Sequence, residues 1–150
     1  MIKIGDNISN VVLGKNEKEE ILKVSDFKGR KLVLYFYPKD NTPGCTAEAC
    51  SLRDNYDLLK AQGYEIVGVS KDSAASHQKF IAKHDLPFTL VADTELELHN
   101  VMGTWGEKKM CGKTCFGTLR TTFIVDEDGC VTHIFEPKSV KTKEHANQIL

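Results

Sequence analysis

Residues 31–54 read KLVLYFYPKDNTPGCTAEACSLRD, and the change of pattern inside this stretch decides the fold. From Lys31 to Tyr37 the apolar and aromatic residues are almost unbroken, as in a central strand covered on both faces. Pro38 ends that run. Thr42 then stands where a helix N-cap belongs and Pro43 where a first helical residue belongs. From Thr46 the pattern turns helical: Ala49, Leu52, Tyr56 and Leu59 recur on one face, with Arg53, Asp54 and Lys60 off it, until Gln62 and the stop at Gly63. A buried strand feeding a helix that packs back on its sheet is the unit of an α/β fold.

Working outward, YEIVGVS (64–70) and FTLVAD (88–93) read as further strands, and TTFIVDEDGCVTHIF (121–135) as a hairpin turning at Asp126 to Gly129. Helices are expected at about Ser73–Asp85, Glu95–Met102 and from Thr142 to the end. The order predicts a central mixed sheet: the crossovers make parallel pairs and the hairpin adds antiparallel ones. With 150 residues, 41% hydrophobic and 27% charged, residues 1–150 suit one domain with a substantial core. A formal charge of -1 provides no field for nucleic acid or an anionic membrane. The start, MIKIGDNISNVVLG, lacks the apolar run of a signal peptide, and no stretch approaches the roughly 20 apolar residues of a membrane span. A cytoplasmic protein is expected. Five cysteines, an odd number, then point to catalysis, redox sensing or metal rather than to a disulfide framework.

Cys45 falls in the first turn of the predicted helix. Unpaired backbone N–H groups and the positive end of the helix dipole favour a thiolate there, and the thiolate is the nucleophile. The sulfur also sits at a strand-to-helix switch, where α/β folds place ligands, between Thr, Pro and Gly residues that allow close backbone approach. His77, His84, His99, His133 and His145 read as solvated or half-buried, and no flavin, kinase or DNA-reading motif is present. No cofactor is implied, so if the protein is a redox enzyme its electrons must come from outside.

The spacing Pro38, Thr42, Cys45 matches the P-x-x-x-T-x-x-C signature of peroxiredoxins. FYPKDNTPGCTAEACSLRD resembles the peroxiredoxin Q group, also called bacterioferritin comigratory proteins. The similarity runs on through GVSKDSAASHQKFIAKHDLPFTLVAD, WGEKKM and RTTFIVDEDG, nearly the whole chain. The resemblance implies a thioredoxin-like fold with an N-terminal extension and reduction of hydrogen peroxide or organic hydroperoxides. Cys45 would be the peroxidatic cysteine, Thr42 the hydroxyl that bonds the peroxide, Pro38 a wall against water and Arg120 the family arginine. A guanidinium there would stabilise the thiolate and the charge developing on the leaving oxygen. Glu48, one turn after Cys45, resembles the carboxylate that backs this arginine. Thioredoxin or a similar dithiol is the implied reductant.

Cys50 matches the resolving cysteine of family members with C-x-x-x-x-C in this helix. Five helical residues leave the two Cα atoms roughly 8.6 Å apart on different faces, whereas a disulfide needs less than about 7 Å. The pairing therefore requires the first turns to unwind once Cys45 becomes sulfenic acid. Resolution inside one helix needs no second subunit, and a monomer is expected. Cys111 and Cys115, in MCGKTCFG, depart from the family pattern; they are candidate auxiliary thiols or simply tolerated loop residues. Cys130 reads as a strand residue, and Trp105 and Phe116 as candidates for lining the peroxide pocket. Two other readings use the same thiols: a redox sensor that oxidises and then binds a partner, and a zinc site of Cys45, Cys50, Cys111 and Cys115, whose spacings suit zinc poorly.

Overall fold

The chain begins with an antiparallel hairpin, β1 (Val12–Lys15) and β2 (Ile21–Lys23), followed by a 3-10 turn at Val24–Phe27. Then come β3 (Lys31–Phe36), α1 (Pro43–Asp54), α2 (Tyr56–Ala61), β4 (Tyr64–Ser70), α3 (Ala74–His84), β5 (Thr89–Ala92) and α4 (Glu97–Met102). A second hairpin, β6 (Trp105–Met110) and β7 (Lys113–Thr118), precedes β8 (Thr121–Val125) and β9 (Val131–Phe135). The end of the chain is a 3-10 turn at Thr142–Glu144 leading into α5 (His145–Ile149). This computed structural model describes residues 2–110 and 112–150.

The main sheet has the order β5-β4-β3-β8-β9. β3 pairs in parallel with β4, and β4 with β5, while β8 runs antiparallel to both β3 and β9. This is the expected mixed sheet flanked by helices. Alternation along β3 explains why its sequence is apolar throughout: Leu32, Leu34 and Phe36 enter one core and Val33, Tyr35 and Tyr37 the other. The first core is closed by Ile8, Leu13, Val24 and Phe27 of the N-terminal extension and by Leu98 and Met102 of α4. The second is closed by Ala49, Leu52, Leu59 and Phe80 from α1, α2 and α3, and by Ala146 of α5.

The structure corrects several sequence expectations. The helix begins at Pro43 with Thr42 as N-cap, as expected, but it does not run unbroken to Gln62: it is two helices, broken at Asn55, whose side-chain amide donates to the Ser51 carbonyl at 2.9 Å. That side-chain bond competes with continuation of the helical ladder. Neither short hairpin was anticipated. Val12 and Ile21 are exposed and only Leu13 of β1 is fully buried, so the first hairpin carries almost no hydrophobic period. His77, His99 and His145 are fully buried rather than solvated or half-buried. Each has both ring nitrogens hydrogen-bonded, which removes the desolvation cost that made burial look unfavourable.

Gly68 marks the tightest point of the sheet. It pairs with Tyr35 on β3 and with Leu90 on β5, and a Cβ there would lie 2.7 Å from Leu90 Cδ2 and 2.8 Å from Tyr35 Cζ. Gly68→Ala should therefore overpack the core and cost about 1–3 kcal/mol, read as a lower urea midpoint. An unchanged midpoint would show that Tyr35 and Leu90 give way freely.

Candidate active site

The C-terminal end of β3 delivers the chain to the N-terminus of α1, and the antiparallel neighbour β8 begins at the same end of the sheet, with Phe36 opposite Thr121. Residue 120 is thereby set beside the first turn of α1. Thr42 is extended and serves as N-cap, Pro43 is the first helical residue, and Cys45 lies in the first turn with 2% exposure. The Thr42 hydroxyl does not cap the helix. It donates to the Lys39 carbonyl at 2.8 Å, so its own oxygen keeps lone pairs for an incoming O–H.

One guanidinium joins two acidic groups. Arg120 Nη2 donates to Cys45 Sγ at 3.2 Å, and Nη1 donates to Glu48 Oε1 at 2.7 Å. The Arg120 side chain is 20% exposed and Glu48 is wholly buried. Burial works against the charge on Arg120, but Glu48 and Cys45 together raise its pKa above the usual value. One planar fork thus points a cationic N–H donor at the sulfur and a second at the carboxyl group.

Burial pushes the Glu48 carboxyl up from 4.5 to about 7, against the opposing pull of Arg120. Its second oxygen, Oε2, and the buried Tyr35 hydroxyl find no hydrogen-bond partner among the described residues. Burial, then the charges of Glu48 and Cys45, raise the Tyr35 phenol well above its ordinary value. His145 Nε2 lies 3.8 Å from Glu48 Oε2. That ring donates from Nδ1 to Gln148 Oε1 and accepts at Nε2 from the Thr122 hydroxyl, both at 2.8 Å. Burial holds His145 below its usual pKa, which suits this neutral tautomer.

The folded protein thus binds the Glu48 proton more tightly than the unfolded chain does. Stability from this group is complete below pH 4.5 and is lost as pH rises through about 7, a change on the order of 3 kcal/mol. Glu48→Gln removes the titration while keeping an acceptor for Arg120. Across this window the wild-type Tm should fall relative to the variant by roughly 6–12 °C. Parallel Tm curves would refute the burial argument.

Of the other residues picked out from sequence, Pro38 is half-buried two residues after the end of β3, and Cys50 is half-buried farther along α1 as a free thiol. Cys115 is an exposed free thiol on β7, and Cys111 lies outside the described residues. Phe116 is 65% exposed and encloses nothing, whereas Trp105 packs edge-on to His99. Cys130 sits just after the β8–β9 turn, paired with Asn7. Among the described residues, no three His, Cys, Asp or Glu side chains are grouped to hold a metal ion, and no helix is long and apolar enough to cross a membrane. Tyr35 and His145 escaped the sequence reading. The alternation of β3 puts Tyr35 on the face toward α1 and could have flagged it; nothing in the polar C-terminal segment marked His145.

The AhpC/TSA family model matches residues 4–134. The chain belongs to this family of peroxiredoxins. Peroxiredoxin Bcp of Bacillus subtilis is 44% identical over 149 residues, covering 99% of this chain and 93% of the relative. Peroxiredoxin Bcp of Escherichia coli K12 is 39% identical over the same length, covering 99% and 94%. Among solved structures, a mutant of Xylella fastidiosa PrxQ superposes with a TM-score of 0.90 at 30% identity, covering 99% of this chain and 93% of that one. The Xanthomonas campestris bacterioferritin comigratory protein gives 0.86 at 31% identity, covering 99% and 93%. This peroxiredoxin has the thioredoxin-like fold of those neighbours, and it is a thiol peroxidase: an enzyme that reduces a peroxide at the expense of a thiol reductant.

Proposed function

We propose that Cys45 is the peroxidatic cysteine and that Cys50 resolves it within the same chain. The Cys45 thiolate attacks the terminal oxygen of a hydroperoxide; the O–O bond breaks, sulfur is oxidised to sulfenic acid, and the other oxygen leaves as water or an alcohol after taking a proton. Arg120 stabilises both the thiolate and the charge developing on the leaving oxygen. Thr42 accepts the peroxide O–H, and Pro38 limits water around the sulfur. The observation that carries this reading is the Arg120 bridge from Cys45 Sγ to the buried Glu48.

The first turns of α1 then unwind, the Cys50 thiol attacks the sulfenic sulfur, a disulfide forms and water leaves with the Cys50 proton. A thioredoxin-type dithiol reduces the disulfide by exchange and leaves two thiols on this chain. Hydrogen peroxide and organic hydroperoxides are the substrates; the second class is supported by the alkyl peroxide reduction activity of the Xanthomonas relative. The enzyme works as a monomer of one domain in the cytoplasm, where a dithiol reductant is maintained. Steady-state turnover of hydrogen peroxide with thioredoxin, thioredoxin reductase and NADPH tests the recycling. NADPH consumption should depend on both thioredoxin and peroxide. Peroxide reduction supported only by a monothiol such as glutathione would contradict the dithiol route.

A further inference from the structure

The loop between β3 and α1 contains a buried polar cluster that the chemistry at Cys45 does not use. Asp40, 5% exposed, accepts from the Tyr37 hydroxyl at 2.5 Å on Oδ1 and from the Ser76 hydroxyl at 2.8 Å on Oδ2. His77 Nδ1 lies 2.7 Å from the same Oδ2, and its Nε2 lies 2.9 Å from the Val91 carbonyl. A carbonyl can only accept, so Nε2 carries a hydrogen. The Nδ1 contact ties the other side of the ring to the Asp40 carboxyl. The backbone N–H of Asp40 donates to Asp72 Oδ2 at 2.8 Å, and Asp72 also accepts from the Ser70 hydroxyl at 2.8 Å.

Asp40 is thus pinned through its side chain to α3 and through its backbone to the β4–α3 turn. On either side of it lie the parts that orient Thr42. Lys39, immediately before, supplies the carbonyl that takes the Thr42 hydroxyl hydrogen, and Asn41, immediately after, sits in the left-handed region at φ 61°. Asparagine is among the few residues other than glycine that adopt this region readily, so the chain can turn sharply here just before Thr42. The α3 end of the cluster is equally fixed, because His77 reaches across to the backbone of β5.

We infer that Asp40 and His77 are positioning residues for peroxide recognition: they fix the loop that aims the Thr42 oxygen at the substrate O–H. The inference rests on the assignment of Thr42 made above. Asp40→Asn should slow the reaction of reduced protein with hydrogen peroxide by roughly tenfold to a hundredfold, the usual cost of a misplacement near 1 Å. Alkylation of Cys45 by iodoacetamide needs the thiolate but no oriented hydroxyl, and should stay within about twofold. Tyr37→Phe, which keeps the ring and loses one donor, should shift the peroxide rate in the same direction by less, and serves if Asp40→Asn fails to fold.

The decisive comparison repeats both variants on a Thr42→Val background. If the cluster acts through Thr42, the second substitution adds almost nothing there. Equal losses with peroxide and iodoacetamide, full additivity on the Thr42→Val background, or undiminished peroxide rates in both single variants would each overturn the inference alone. A Thr42→Val protein that reacts with peroxide as fast as wild type would overturn it together with the assignment of Thr42.

Discussion

Arg120→Met is expected to slow the attack of Cys45 on hydrogen peroxide by roughly a hundredfold to a thousandfold, the usual loss when one preorganised charge donor is removed from a transition state. Two effects combine in that figure. The sulfur loses the 3.2 Å N–H contact that favours its anion, and the leaving oxygen loses the only cation hydrogen-bonded at the site among the described residues. Glu48 is affected as well. The downward influences on its pKa all come from Arg120, so without the guanidinium the carboxyl rises further above about 7 and stays protonated. Arg120→Lys keeps the charge, but a single ammonium cannot span Sγ and Oε1 as the planar fork does, and it should fall between the two. Stopped-flow rates of reduced protein with peroxide measure this; a loss under about threefold for Arg120→Met would remove the arginine from the chemistry.

The second large effect is expected at Cys50. In Cys50→Ser the first peroxide should be reduced at the wild-type rate, while turnover with thioredoxin falls by roughly a hundredfold or more. The reason is effective concentration: a resolving thiol on the same helix acts at millimolar levels or above, and a reductant thiol in dilute solution cannot match it. The stalled sulfenic acid then meets further peroxide and passes to sulfinic acid, which mass spectrometry detects on the Cys45 peptide. Undiminished steady-state turnover would eliminate Cys50 as the sole resolver. The helix shows where unwinding can start and stop. Cys45 and Glu48 are held by Arg120, whereas the distal part of α1 is tied by Ser51 to the Ala146 N–H at 3.1 Å and by Arg53 to the His84 carbonyl at 2.8 Å. Since unwinding frees Glu48 into water, it becomes easier as pH rises from 4.5 to about 7, the same sign as for global stability.

What could be read from sequence follows where side-chain pattern and backbone geometry coincide. β3 and β4, buried on both faces, announce themselves as apolar runs, and the β8–β9 turn is fixed by Asp126, which accepts from the N–H groups of Asp128 and Cys130, with Gly129 at φ 88°. The helix start at Pro43 was legible because Thr and Pro have positional preferences there. The Asn55 break was not, since Ala49, Leu52 and Leu59 keep their helical spacing across it and the competing bond comes from a side chain. The two small hairpins were invisible because their strands are largely exposed, and exposed strands carry no hydrophobic period. In the site, residues 38–48 lie close in sequence and could be recognised together. Arg120 needed the family resemblance, because only the β3–β8 pairing brings it to α1. His145 and His77 depend on tertiary hydrogen bonds that no local pattern encodes.

The most direct test of the account treats fully reduced protein with one equivalent of hydrogen peroxide, blocks the remaining thiols, and maps all five cysteines by mass spectrometry without reduction. A Cys45–Cys50 crosslink, with the other cysteines still free to be blocked, is the predicted result. Cys45 recovered as an unmodified thiol would contradict its assignment as the residue that peroxide oxidises.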